Sequence, residues 1–242
     1  MRILERVVLP LFLVVLICAV SVYFYGMENV EVVSSLQQVH PKTVILDAGH
    51  GGFDGGAVAI DGTVEKDINL NIALMLESLL KQNGFCVIMT RNKDVSTEDT
   101  ESSQIASKKK SDLKNRLNLM KDYPHAVFVS IHLNKFTTSS AMGSQVFYSD
   151  NEKSKLLGEY IQRSIVSLIQ HDNMRVNKKA TSSTYLLHNA TVPAVLVECG
   201  FLSNKDELEK LKRTDYQNKM AFSIYCGILE YFKENEDNGS KV

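Results

Sequence analysis

The chain has 242 residues, of which 44% are hydrophobic and 23% charged, and its net charge is −1. A chain of this size and composition buries a sizeable core as one globular domain without disulfide bonds. The charge balance excludes the strongly basic surface of a nucleic-acid-binding protein, so no nucleic-acid partner is expected. The four cysteines include no C-x-x-C pair, which argues against a cysteine metal site and favours buried thiols.

The N-terminal part of the sequence predicts export. Residues 7–25 are almost wholly apolar and uncharged; Arg2 and Arg6 precede them, and Glu28 and Glu31 follow them. As a helix this stretch would be roughly 30 Å long, which is the thickness of a bilayer core. The charge asymmetry predicts a cytosolic N-terminus and an exported remainder. The segment is either an uncleaved membrane anchor or a signal peptide, and the length of the apolar run favours the anchor.

The sequence divides into four parts. Residues 1–27 form the anchor or signal peptide, and residues 28–41 form a polar linker that ends at Pro41. Residues 42–234 form a single folded domain, and residues 235–242 form a polar tail.

Strands and helices alternate along the folded domain. The first strand, residues 43–46, is apolar and β-branched and ends in a glycine-rich turn. The first helix, residues 65–83, has one apolar face, and Gly84 follows it as a terminating residue. The remaining strands are predicted at residues 85–90, 126–131, 144–148 and 193–200 with a short one at 185–187, and the remaining helices at 111–122, 152–169 and 214–232.

This alternation predicts an α/β domain of three layers, α/β/α, around a mostly parallel central sheet. The apolar, non-alternating strands fit burial on both faces of the sheet. In such sheets, ligands bind beyond the carboxyl ends of the strands. His50, His132 and Glu198 stand at or just past such ends, and Glu65 begins the helix that follows the first strand. These four side chains are therefore expected at one edge of the sheet.

The residue types at this edge suit a metal-dependent hydrolase. Two histidines and one glutamate form a known ligand set of catalytic zinc sites, which leave one position for water. We predict that His50, Glu65 and His132 bind Zn²⁺ and that Glu198 is catalytic, moving a proton from water to the leaving group. Taken singly, Glu65 could be a charge favoured by the helix dipole, and His132 could be a core histidine. Glu198 is harder to explain by structure alone, because an unpaired buried carboxylate is costly.

Five short motifs carry a resemblance to a known family. They are L-D-A-G-H-G-G at residues 46–52, E-K-D-I-N-L at 65–70, T-R at 90–91, S-I-H-L-N at 130–134 and E-C-G-F-L-S-N at 198–204. In this order they resemble the zinc-dependent N-acetylmuramoyl-L-alanine amidases, over about residues 42–232. In that family the two histidines and the first glutamate bind zinc and the last glutamate is catalytic, which falls on His50, His132, Glu65 and Glu198. The resemblance implies hydrolysis of the amide between the lactyl group of muramic acid and L-alanine.

Further details are similar to the sporulation-type amidases of endospore formers. They include Ala48, Leu133 and the segments 109–116 and 145–148. That likeness implies action on spore-cortex peptidoglycan in the forespore space, where peptide removal leads towards muramic δ-lactam. The expected partners are glycan strands with stem peptides, and the membrane through the N-terminal segment. An accessory activating protein is a further hypothesis, because no wall-binding repeat accompanies the domain.

Other residues near the motifs have two interpretations each. Asn134 could orient the substrate or support a ligand through a hydrogen bond. Arg91 and Arg116 could bind a carboxylate of the substrate, or form structural ion pairs. Asp47 and Asp54 could hold the second nitrogen of a histidine or stabilise the glycine turn. The glycines of that turn are expected to leave room for a glycan strand.

Three rival functions remain at this point. A zinc peptidase that cuts within the stem peptide would use the same ligands. A non-catalytic wall-binding module would need no metal and would tolerate a change at Glu198. A cysteine hydrolase would use Cys199, but alternation along the strand points that side chain away from Glu198.

Overall fold

The structure is a computed structural model that describes residues 14–23, 41–99, 101 and 103–239. It divides into two units, Met1–His40 and Pro41–Val242. In the first unit, α1 (residues 14–23) is an exposed helix. Among the residues that the structure describes, no helix is both long enough and apolar enough to cross a membrane. The rest of the predicted anchor lies outside the described residues, so the anchor stays a prediction.

The second unit is built on a six-stranded sheet. The order of the strands is β2-β1-β3-β6-β4-β5. Strands β2, β1, β3 and β6 are parallel to one another, whereas β4 is antiparallel to β6, and β5 is parallel to β4. The elements in chain order are β1 (Thr43–Ala48), α2 (Glu65–Gln82), β2 (Cys86–Met89), α3 (Ile105–Asp122), β3 (Val127–Asn134), β4 (Gln145–Tyr148), α4 (Glu152–Ile169), β5 (Lys178–Lys179), α5 (Tyr185–His188), β6 (Ala194–Phe201), α6 (Lys205–Leu211) and α7 (Thr214–Gly239).

Helices cover both faces of the sheet. Helices α2, α4 and α7 pack on one face, and α3 and α5 pack on the other. Successive residues of a strand therefore enter different cores: Val44 and Leu46 face the first helix layer, and Ile45 faces the second. This explains why the central strands are apolar at consecutive positions. The three-layer α/β/α domain with a mostly parallel sheet is confirmed.

The structure corrects several element boundaries. Helix α3 begins at Ile105 rather than at residue 111. Residues 105–110 include three consecutive lysines and show little apolar pattern, and Lys109 among them forms an ion pair with Asp54. The segment 185–187 is helical, not a strand; a short apolar run does not distinguish the two. Helix α7 continues to Gly239, past the predicted end at residue 232.

Two elements were missed in the sequence. Helix α6 begins after Asn204, whose side chain accepts hydrogen bonds from the amides of Asp206 and Glu207. Asparagine is a favoured N-cap residue and could have been recognised in the sequence, but a helix of only seven residues shows little periodicity. Strand β5 has only two exposed residues and carries no apolar pattern.

Candidate active site

Four side chains converge at the edge where β1, β3 and β6 end. His50 follows β1 within the glycine turn, and Glu65 is the first residue of α2. His132 and Glu198 lie inside β3 and β6, not past their ends, and they are direct partners in the register of these strands. The pairing shifts between His132 and Asn134, which marks an irregularity next to the site.

The two histidines and Glu65 form a compact cluster. The Nε2 atom of His50 lies 3.2 Å from Oε1 of Glu65, and the Nδ1 atom of His132 lies 3.0 Å from the same oxygen. One ligand atom from each of the three residues lies within 4.8 Å of the others. The imidazole rings meet edge to face, with centroids 4.9 Å apart. These three side chains could hold a metal ion.

The chemistry of this cluster fits zinc. Two imidazoles and one carboxylate are ligands that zinc prefers. Beside them, Oε2 of Glu198 is shielded from solvent and has no hydrogen-bond partner among the described residues. A buried carboxylate without a partner is costly, and a cation next to it would relieve that cost.

The contacts of Glu65 orient it toward the two histidines. Its Oε2 accepts a hydrogen bond from the amide of Ala57 at 2.8 Å, and its Oε1 accepts one from the amide of Leu133 at 3.1 Å. The buried Asn69, one helical turn later, donates to Oε1 at 3.3 Å and to the carbonyl of Gly49 at 3.3 Å. Asn69 was missed in the sequence, although its i+4 spacing from Glu65 puts the two on one helix face.

The glycines of the turn give room to the site's own side chains. A Cβ atom at Gly49 would strike the ring of His132. A Cβ atom at Gly56 would lie 2.6 Å from Oε2 of Glu65 and 2.6 Å from Cδ2 of His50, and Gly56 has a φ of +70°. His50 itself has a φ of +62°, which is uncommon for a residue with a side chain. At these two glycines the expected space for a glycan is therefore taken by the site's own residues.

Asp54 holds the second nitrogen of His50. Its Oδ2 lies 2.9 Å from Nδ1 of His50, and its Oδ1 lies 2.9 Å from Nζ of Lys109. A carboxylate in this position fixes the tautomer and the ring orientation of a histidine ligand. Burial favours the uncharged form of His50, but its hydrogen bonds and charge interactions with Glu65 and Asp54 prevail and raise its pKa.

Asp47 forms hydrogen bonds away from the two rings. It is fully buried and accepts hydrogen bonds from Arg116 at 2.6 Å, from Thr90 at 2.8 Å and from Ser130 at 2.6 Å. Burial alone would raise the pKa of Asp47, but the charge of Arg116 and these hydrogen bonds lower it overall. The suggestion that Asp47 holds a histidine nitrogen is therefore wrong, because its oxygens serve a buried ion pair.

Arg91 and Arg116 support the backbone around the site. Both are almost fully buried. Arg91 donates to the carbonyl groups of Ala48 and Gly49, and Arg116 donates to those of Ala48 and His50. The structure thus assigns both guanidinium groups to the turn that carries His50, whereas a substrate carboxylate would need donors directed at solvent.

Burial and hydrogen bonding shift two glutamate pKa values in opposite directions. Burial raises the pKa of Glu198 to about 7, because the opposing charges of the histidines are too weak to offset it. Burial also acts on Glu65, but hydrogen bonds to His132 and His50 outweigh it and lower the pKa of Glu65. Glu65 is therefore ionised, while Glu198 can exchange a proton near neutral pH.

Cys199 and Asn134 contribute less to the site. Cys199 is fully buried on the other face of β6, and burial raises the pKa of its thiol well above the ordinary value. A protonated, inaccessible thiol is a poor nucleophile, which argues against a cysteine hydrolase.

Asn134 ends β3, and its carbonyl accepts a hydrogen bond from the amide of Leu202 at 2.8 Å. Its role in substrate binding stays a prediction.

The fold and the site define a hydrolase that works with histidine and carboxylate side chains at the edge of an α/β sheet. A model of the N-acetylmuramoyl-L-alanine amidase family matches residues 44–230. The chain belongs to this family, so the resemblance carried by the motifs is confirmed. Its reaction is amide hydrolysis in peptidoglycan.

Three relatives illustrate the similarity. The germination-specific N-acetylmuramoyl-L-alanine amidase of Bacillus subtilis (strain 168) is 37% identical over 200 residues, which cover 81% of this chain and 82% of the relative. The CwlD amidase of Clostridioides difficile, solved in complex with the GerS lipoprotein, is 42% identical with a TM-score of 0.76, covering 79% of this chain and 98% of that one. The catalytic domain of CwlV from Bacillus (Paenibacillus) polymyxa var. colistinus is 33% identical with a TM-score of 0.68, covering 79% of this chain and 98% of that one.

Proposed function

We propose that the chain is a zinc-dependent N-acetylmuramoyl-L-alanine amidase that strips stem peptides from spore-cortex peptidoglycan, as a step towards muramic δ-lactam. The observation that carries this proposal is the convergence of ligand atoms of His50, Glu65 and His132 within 4.8 Å, beside Oε2 of Glu198, which has no hydrogen-bond partner in the described part of the chain. The cortex assignment is supported by the similarity to a germination-specific amidase.

The metal ligands are His50, Glu65 and His132. Asp54 keeps Nδ1 of His50 engaged, so that Nε2 is directed toward Glu65. Asn69 and the amides of Ala57 and Leu133 hold the carboxylate of Glu65. When bound, zinc supplies Lewis acidity, which polarises the scissile carbonyl and makes water more acidic.

Glu198 moves the proton during hydrolysis. It takes a proton from the attacking water, and it returns this proton to the amide nitrogen as the C–N bond breaks. The products are a lactyl carboxylate on muramic acid and a peptide with a free L-alanine amino group. Burial of Glu198 and its place opposite His132 in the sheet support this role. Asn134, two residues past His132, orients the substrate.

The enzyme acts outside the cytoplasm. The apolar N-terminal segment supports export into the forespore or cortex space and attachment to the membrane. An accessory protein assists the catalytic domain, a proposal supported by the complex of the Clostridioides difficile relative with a lipoprotein. Full activity of the purified chain on cortex glycan would rule out the need for such a partner.

Analysis of the products tests the proposed reaction. Cortex glycan is incubated with the purified chain, with and without a zinc chelator, and the soluble products are identified by mass spectrometry. We expect intact stem peptides that begin with L-alanine, and none after zinc is chelated. Shorter fragments that lack L-alanine would identify a peptidase instead, and release that resists the chelator would contradict a zinc enzyme.

A further inference from the structure

A cavity separate from the cluster of proposed metal ligands opens near the edge of the sheet that carries Glu198. Its volume is about 520 Å³. It lies between Met142 and Gly143 before β4, the end of α4, helix α6 and the start of α7. Since β4 is antiparallel to β6, the first residue of β4, Gln145, pairs with Glu198 in the second half of β6. None of the proposed metal ligands lines this cavity.

The walls of the cavity are held by polar contacts. Gln170 accepts a hydrogen bond from the amide of Ser144 at 2.8 Å and donates to the hydroxyl of Tyr216 at 2.9 Å. Asn173 donates to the carbonyl of Ser144 at 2.9 Å and to Gln170 at 2.8 Å. A cavity fixed in this way before a ligand arrives is typical of a binding site.

Arg175 connects the cavity with the catalytic strands. Its Nε donates to the carbonyl of Met142 at 2.7 Å, and its Nη1 donates to Oε1 of Gln145 at 3.1 Å. Its guanidinium also lies 4.9 Å from the ring centre of Phe201. Gln145 is the direct partner of Glu198 in the sheet. Two uncharged groups therefore accept hydrogen bonds from the guanidinium, and one of them belongs to the strand partner of Glu198.

The charges of the cavity suit a carboxylate ligand with apolar neighbours. Arg175 and Lys210 supply two cations, and Met142, Ile169 and Tyr216 supply apolar surface. Glu207 also lines the cavity, but its two oxygens accept hydrogen bonds from the amides of Gly143 and Phe201, both at 2.9 Å. Burial raises the pKa of Glu207, while these hydrogen bonds and the charges of Lys210 and Arg175 act in the opposite direction. Asp172 and His171 are exposed at the rim.

The spacing matches a peptide that leaves the catalytic centre. Neighbouring strands lie about 4.8 Å apart, and an extended peptide advances about 3.5 Å per residue. Glu198 faces the layer of α3 and α5, whereas α4 and α7 cover the other face, so a peptide whose first residue lies at Glu198 would pass over the edge of the sheet beside Gln145 to reach Arg175 with its second to fourth residues. We propose that this cavity is a subsite for the stem peptide, in which Arg175 and Lys210 bind a free carboxylate beyond the first residue. This inference rests on the proposed function, because it presumes hydrolysis at the amide of L-alanine.

Two substrates test the subsite by kinetics. The first is N-acetylmuramoyl-L-alanine, and the second carries a four-residue stem peptide with free carboxylates. For Arg175→Ala and Lys210→Ala we expect KM for the longer substrate to rise about 10- to 100-fold, which is the contribution of a charge-assisted hydrogen bond. We expect kcat and KM for the shorter substrate to stay as in the wild type, and Arg175→Lys to recover part of the loss. Arg163→Ala is the matched control, because Arg163 lies 4.7 Å from the ring centre of Tyr160 and pairs with Glu230 on the outside of α4 and α7.

Direct binding separates a failed subsite from a failed function. The free four-residue peptide is titrated by calorimetry into the wild type and the variants, and the same peptide with amidated carboxylates is the second ligand. Weaker binding to both cavity variants, and weak binding of the amidated peptide, would support the subsite even if no amide were hydrolysed. Equal losses on both kinetic substrates would show a structural role, and unchanged peptide binding in Arg175→Ala and Lys210→Ala would overturn the inference.

Discussion

The buried ion pair between Asp47 and Arg116 yields a quantitative prediction about stability. Arg116 is 2% exposed and Asp47 is 0% exposed. Replacing Asp47 by alanine leaves a buried guanidinium with one carboxylate fewer and removes the acceptor of the Thr90 and Ser130 hydroxyls. Breaking a buried pair from one side costs about 3–5 kcal/mol. Asp112 still pairs with Arg116 at 2.9 Å, so we expect about 3 kcal/mol for Asp47→Ala.

The Asp47→Asn variant separates charge from hydrogen bonding. Its amide oxygen can still accept from Arg116 and Thr90, and its NH₂ group can donate to the hydroxyl of Ser130. Only the charge assistance is lost, which amounts to about 1–2 kcal/mol. Asp150→Asn is a surface control, because Asp150 is 78% exposed in its pair with Lys179, and we expect about 0.5 kcal/mol or less.

Urea unfolding of the full chain measures these differences. It is carried out in the presence of a chelator, so that metal binding does not add to the free energy of unfolding. Equal losses in Asp47→Asn and Asp47→Ala would show that the charge contributes everything. A loss below 1 kcal/mol in Asp47→Ala would refute the assignment of Asp47 and Arg116 as a stabilising pair.

Three further predictions follow from the site. In Asp54→Asn we expect zinc affinity, measured by competition with a chelating dye, to fall about 10- to 100-fold, because His50 loses its orienting carboxylate; unchanged affinity would contradict that role. Gly56→Ala should lose zinc binding in the same assay, since a methyl group would contact Glu65 and His50 where φ is +70°, whereas normal binding would show that the turn can adapt. Finally, the pKa of Asp47 in the folded protein lies below its ordinary value of 3.8. Its ionised form therefore contributes to the free energy of unfolding above about pH 4, and this contribution is lost as the pH falls through the pKa of the folded protein. The free energy of unfolding should therefore fall less steeply below pH 4 in Asp47→Asn than in the wild type. Parallel pH dependences in the two proteins would contradict the lowered pKa of Asp47.

Much of the fold and of the site could be predicted from local signals. Parallel strands bring their carboxyl ends to one edge of the sheet, so residues at these ends were expected to meet. His50, Glu65, His132 and Glu198 lie far apart in the sequence, and the structure brings them together at that edge. For Asp54, holding a second histidine nitrogen was one of two expectations beside stabilising the glycine turn, and the structure places its Oδ2 2.9 Å from Nδ1 of His50.

The remaining features depend on tertiary contacts. An arginine in a motif looks the same whether it faces a substrate or backbone carbonyls, so the buried positions of Arg91 and Arg116 could not be distinguished from a binding role. The glycines at 49 and 56 were expected to accommodate a ligand, and only the structure shows which side chains occupy that space. Helix α3 begins in a lysine-rich stretch that has no apolar periodicity, and its Lys109 pairs with a distant residue, Asp54.

The most direct test of the proposed mechanism is Glu198→Gln, assayed for both bound zinc and release of stem peptides. The substitution preserves the shape of the side chain and the three ligands, but it removes the group that accepts a proton. We predict that zinc remains bound while the rate of peptide release falls by about 10²- to 10⁴-fold, the usual contribution of a general acid or base. Unchanged turnover would contradict the catalytic role of Glu198, and loss of zinc would show that Glu198 is needed to hold the metal.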